Sequence, residues 1–176
     1  MPIVNPGRPA LDEHLPYYSQ YINLVPDGNL VDLLARQFDA THTLLAALTP
    51  QQANFRPKPD DWNILEVVGH LADTERVFAY RALRMARNDP TPLPSFDQDL
   101  FVANANFASR PLANLLDEFA AVRDASLAFL RTLDGEAWLR KGIASDHVFS
   151  VRALGYGVAG HELHHVIDFR QRYAIG

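Results

Sequence analysis

The chain has 176 residues, 48% of them hydrophobic, with a net charge of −5 and an isoelectric point near 5.7. That length and apolar content fit one domain with its own core, and the acidic balance argues against a nucleic-acid-binding surface, which needs clustered Lys and Arg. Cysteine is absent, which excludes disulfides, thiolate metal ligands and a cysteine nucleophile; any metal must be held by His, Asp or Glu.

Residues 1–26 carry Pro2, Pro6, Pro9, Pro16 and Pro26 together with Tyr17, Tyr18 and Tyr21. This composition reads as an extended N-terminal arm lying on a single domain, residues 27–176. The first ten residues hold no apolar run of the kind a leader needs. No stretch approaches the ~20 apolar residues of a membrane span. A cytoplasmic protein with neither membrane nor nucleic acid as partner is the expectation.

Four segments then repeat apolar residues at the helical period. The first runs from about Asn29 to Leu48, with a stripe of Leu30, Leu33, Leu34, Thr41, Leu44, Leu45 and Leu48. Asp27 or Asn29 can cap it, and Thr49-Pro50 ends it. The second runs from Asn63 to about Arg87 on Ile64, Val67, Val68, Leu71, Phe78 and Met85. Asn63 followed by Glu66 is a capping-box variant, and Asn88-Asp89-Pro90 stops the helix. The third starts at Ser109 with Pro111 in its first turn and closes at Asp134-Gly135. The fourth starts at Ser150 and carries Val151, Leu154, Val158, His161, His165 and Phe169 on one stripe to about Tyr173. No strand alternation competes with these patterns. Four amphipathic helices of about 20 residues predict an all-α four-helix bundle. The connection 89–108 between helices 2 and 3 is too long for a tight turn. Loops of that length are often functional, although a crossover can also simply span the bundle.

His161-Glu162-Leu163-His164-His165 is the segment richest in chemistry. Residues four apart on a helix are neighbours, so His161 and His165 share the inward stripe and His164 falls off it. Two imidazoles buried without partners cost free energy, and a divalent ion is a partner they can share. Open zinc-type sites use three protein ligands, and His70, at the edge of the second stripe, is the candidate third. His161-Glu162-x-x-His165 also matches the H-E-x-x-H zinc-protease helix, in which the Glu is a general base. No His or Glu follows His165, and Asp168 lies one turn on along the same helix, so the usual downstream ligand is missing. Glu75 sits within the second apolar stripe, either as a partner orienting a ligand His or as one half of an ion pair with an interior Arg. Glu66, one turn before His70, can orient that ring or serve the cap. Glu162, Glu75 and Glu66 are thus the acid/base or supporting candidates. His42 and His147 read as solvated, with His147 near enough in sequence to border a site.

Asp61-Trp62-Asn63, Val68-Gly69-His70-Leu71-Ala72-Asp73-Thr74-Glu75 and Gly160-His161-Glu162-Leu163-His164-His165 together resemble the DinB/YfiT-like family. The resemblance spans about Asp61 to Tyr173. It implies an up-down-down-up bundle, usually a homodimer, with a metal triad at His70, His161 and His165. Zinc and nickel are among the family's metals. Characterised relatives use low-molecular-weight thiols as S-transferases or maleylpyruvate isomerases. The resemblance therefore implies a metal-dependent enzyme that transfers an exogenous thiol to a small electrophilic substrate. Hydrolysis by metal-activated water and a non-catalytic metal-binding stress protein are the alternatives. Aromatics outside the stripes, including Phe96, Phe101 and Phe107, are available to line an interface or a pocket.

Overall fold

The computed structural model describes residues 4–175, so Met1, Pro2 and Ile3 of the expected arm lie outside the described residues. The described residues form eight helices, α1 (Ser19–Ile22), α2 (Leu30–Ala46), α3 (Pro50–Ala53), α4 (Ile64–Ala86), α5 (Gln98–Ala105), α6 (Leu112–Leu130), α7 (Gly135–Leu139) and α8 (Val151–Gln171). A hairpin of β1 (Lys141–Ala144) and β2 (His147–Ser150) precedes the last helix. The four long helices start where the sequence offers caps. Asn29 Oδ1 accepts from the Val31 and Asp32 amides, Asn63 and Glu66 close a reciprocal capping box, and Ser150 Oγ accepts from the Ala153 amide. Each cap satisfies backbone donors that a helix start leaves unpaired.

α2, α4, α6 and α8 form the bundle, and its core has two apolar halves. One joins Leu30 and Leu34 of α2, Phe78 and Met85 of α4, Leu127 and Leu130 of α6, and Leu154 of α8. The other joins Leu45, Ile64, Val68, Leu115, Phe119 and Phe169. The starts of α2 and α8 thus meet the ends of α4 and α6, which is the up-down-down-up arrangement. Because α4 and α6 run parallel, the chain must return along the whole bundle between them, and this requirement explains the length of the 87–111 connection.

Three features depart from the sequence expectation. The N-terminal segment is coiled rather than extended throughout, with 3-10 turns at Leu11–Glu13 and Pro16–Tyr18 leading into α1. It is fastened by the Glu13 carboxylate, which accepts from Ser150 Oγ at 2.7 Å and from the Arg152 guanidinium. The arginine holds the Glu13 carboxyl down at about 2. The hairpin was not expected. Its strands have four residues each, and Ser145 and Asp146 take positive φ without the Asn-Gly signal of such turns. Finally, Pro111 caps α6 instead of opening it, behind a 3-10 turn at Phe107–Ser109. No helix among the described residues is long and apolar enough to cross a membrane.

Candidate metal centre

A polar layer separates the two apolar halves of the core, and the histidines lie within it. His70 comes from the first half of α4, and His161 and His165 come from consecutive turns of α8. His70 Nε2 lies 3.0 Å from His161 Nε2, and His161 Nε2 lies 3.2 Å from His165 Nε2. The three ligand atoms are all within 4.8 Å of one another. Nitrogens about 2.0–2.1 Å from a shared tetrahedral ion would be about 3.3–3.4 Å apart; the two distances at His161 are close to that value, and the third side of the triangle is bounded by 4.8 Å. Neutral rings with their lone pairs facing inward repel unless a cation or a proton lies between them. Thr74 Oγ1 lies 3.3 Å from His70 Nδ1, and in the tautomer that carries its proton on Nδ1 this contact leaves Nε2 as the acceptor. The Trp62 ring packs on His70 at 4.9 Å between centroids.

Burial lowers the His70 pKa to about 4. It also holds His161 and His165 well below the ordinary imidazole value, with the neighbouring histidines adding to the effect. All three are therefore neutral at neutral pH, the state that a metal ligand requires.

Two glycines let other segments lie close against the histidine-bearing helices. A Cβ on Gly160 would meet the Tyr21 carbonyl oxygen at 2.1 Å, and one on Gly69 would meet the Phe107 ring at 2.4 Å. Glycine before His161 lets α1 lie directly on α8, where Tyr21 packs edge-on against His161 and His164. Glycine before His70 lets the long connection seat Phe107 on α4.

The triad is flanked by two cavities. One, of about 180 Å³, reaches His161 and is walled by Tyr18, Tyr21, Phe78 and Phe96. The other, of about 270 Å³, reaches His165 and is lined by Asp61, Asp99, Asp168 and Arg172. Gln98, at the start of α5, borders both. The long connection between α4 and α6 therefore contributes to the surroundings of the site. Of the extra aromatics, Tyr17, Tyr18, Tyr21 and Phe96 line a pocket, while Phe101 stays exposed.

The acidic candidates lie elsewhere. Glu75 and Glu162 are both buried and both accept from the Arg123 guanidinium, at 2.8 Å each from Nη2. Gln37 Nε2 also donates to Glu162 Oε2, at 2.6 Å. Of the two readings of Glu75, the interior ion pair is the one realised. Glu162 is held by Arg123 and Gln37, a poor position for a base at the triad. Glu66 completes the Asn63 cap and pairs with Arg56 at 2.7 Å. His164 stays outside the triad, with its Nε2 4.0 Å from Asp168. His147 is exposed on β2, and His42 is half-buried against Phe38. Sequence reasoning missed Arg81, Gln98 and Arg123. Arg81 alone carried a local signal, because it falls on the face of α4 that carries His70.

A family model described as the DinB superfamily matches residues 33–167. No curated protein matches the chain. Among solved structures, YfiT from Bacillus subtilis, a probable metal-dependent hydrolase with an unusual four-helix bundle topology, aligns with a TM-score of 0.66 at 16% identity. The alignment covers 97% of this chain and 95% of YfiT, a likeness that speaks for the fold. The family match extends over well more than half of the residues and includes all three converging histidines: this chain belongs to the DinB superfamily.

Proposed function

We propose that the protein is a divalent-metal-dependent enzyme that transfers a low-molecular-weight thiol to a small electrophile, with His70, His161 and His165 as the metal ligands. The observation that carries this reading is the pair of cavities that flank the triad, one reached by His161 and the other by His165. Group transfer brings together two organic reactants, and two cavities accommodate them separately. A divalent ion, zinc or nickel by family resemblance, would supply Lewis acidity that favours loss of a proton from a thiol or water at its open position. The chain's own part is to hold three neutral imidazoles in one cluster and to shield them with Tyr21 and Trp62. A thiol nucleophile needs no protein base once it has lost its proton, in keeping with the diversion of Glu75 and Glu162 to Arg123.

Hydrolysis is the second reading. The carboxylates of Asp61, Asp99 and Asp168 in the His165 cavity favour it, since one of them could accept a proton from water. The description of YfiT points the same way. Cobalt-substituted protein separates the two. Titration with a panel of cellular thiols should produce a sulfur-to-cobalt charge-transfer band. A spectrum unchanged by every thiol would remove the transferase reading and leave hydrolysis or a non-catalytic role.

We further propose a homodimer. The α4–α6 face exposes Tyr80 and Leu83 beside an apolar groove of about 480 Å³ lined by Ala79, Val122 and Phe129, the kind of surface that marks association. Light scattering at micromolar concentration should give twice the 19.7 kDa chain mass. A monomer mass would overturn this assignment.

A further inference from the structure

The two buried arginines of this protein are in opposite situations. Arg123 is matched by two carboxylates. Arg81 is 3% exposed, yet among the described residues no carboxylate pairs with it. Its Nη2 donates to the Pro94 carbonyl at 2.6 Å and to Ser145 Oγ at 3.0 Å, and its guanidinium lies over the Phe96 ring at 5.7 Å. These bonds leave Nε–H and both Nη1 protons without a protein acceptor among the described residues. A buried cation without a counter-charge is costly. Burial pulls the Arg81 pKa down, although a guanidinium stays charged across the physiological range.

The unmatched charge lines the same 180 Å³ cavity that reaches His161. Arg81 follows His70 by eleven residues (81 against 70), three turns of α4. Three turns return it to the same face about 16 Å along the axis. Helical side chains lean toward the helix N-terminus, so the guanidinium comes back toward the triad. Tyr18, Phe78 and Phe96 wall the space between. Arg81 is the one residue with a formal charge in this lining, among the described residues.

We propose that this cavity binds a small molecule bearing a carboxylate, anchored by Arg81 at the end remote from the triad, with an apolar or aromatic body against the tyrosine and phenylalanine walls. A carboxylate is favoured over a phosphate by charge. One guanidinium matches one negative charge, and at the end of the cavity remote from the triad no second cationic side chain is present for a dianion, among the described residues. The inference deepens the transferase reading, since this ligand would be the electrophile, but the binding itself needs only the cavity and Arg81.

The test is thermal unfolding of the full chain with 3-phenylpropionate, 3-phenylpropanamide and phenyl phosphate, with metal loaded and again after chelation. The acid should raise the melting temperature saturably in both forms, and the amide should bind about 10- to 100-fold more weakly, the value of a hydrogen bond to a charged group. Arg81→Gln should lose the same factor, and Arg81→Lys should keep part of it. Equal binding of acid and amide, or tighter binding of phenyl phosphate than of the acid, overturns the proposal. The acid–amide comparison decides alone if the variants do not fold. A chain that takes up no metal but still prefers acid to amide would remove the metal-enzyme reading and leave this one standing.

Discussion

Arg123→Ala should cost about 3–5 kcal/mol of folding stability, the range for removing one partner of a buried ion pair. Arg123 is 1% exposed and binds all four long helices together. Starting from α6, it donates to Glu75 of α4, to Glu162 of α8 and through Nη1 to the Leu34 carbonyl of α2 at 2.7 Å. The Phe38 and Phe119 rings flank its guanidinium at 5.9 and 5.4 Å. Burial alone would lower its pKa, but the two carboxylates outweigh that and hold it above the ordinary guanidinium value. Without the cation, Glu75 and Glu162 would be left in the core without their counter-charge, which is the costly half of a broken buried pair. Urea unfolding monitored by circular dichroism measures the loss, and a midpoint close to wild type would show that the network contributes little.

His161→Ala should abolish tight divalent-metal binding. His161 is the central ring of the cluster, at 3.0 Å from His70 and 3.2 Å from His165. Removing it leaves two donors on different helices with no shared bridge. The loss in affinity should exceed the about 10–100-fold that follows loss of a partner supporting a ligand. His164→Ala is the control, because His164 lies on another side of α8 and interacts with Tyr21 and Asp168. It should bind metal as the native chain does. Competition against a chromophoric chelator reads both values. Equal losses in the two variants would remove the triad assignment.

Much of this could be read before the structure, and the division has a physical basis. α4 and α8 announce themselves through apolar residues at helical spacing and through caps at Asn63 and Ser150, signals carried within a few residues of chain. His161 and His165 share a face because helix geometry requires it. Whether His70 would meet them depends on how α4 packs against α8, and there the family resemblance added what periodicity could not. The β1–β2 hairpin stayed hidden because four-residue strands leave too few alternations and its turn lacks glycine. The partner of Glu75 was expected to be an interior arginine, but nothing local singles out Arg123, 48 residues away in sequence. The same holds for Arg81, whose neighbours Pro94 and Ser145 come from the long connection and the hairpin.

The polar layer across the middle of the bundle has a consequence for alignment. Leucine-rich helix faces look much alike one turn up or down, so apolar packing alone leaves sliding only weakly opposed. A shift of one turn here would carry Glu75 or Glu162 away from Arg123 and into an apolar half of the core. A buried polar group that is satisfied in one register alone selects that register, as a single buried asparagine does in a coiled coil. In this bundle the Glu75–Arg123–Glu162 cluster works as a vernier. Glu75 is five residues beyond His70 (75 against 70) and Glu162 is next to His161, so fixing the carboxylates on one arginine sets the heights at which the two histidine-bearing helices meet.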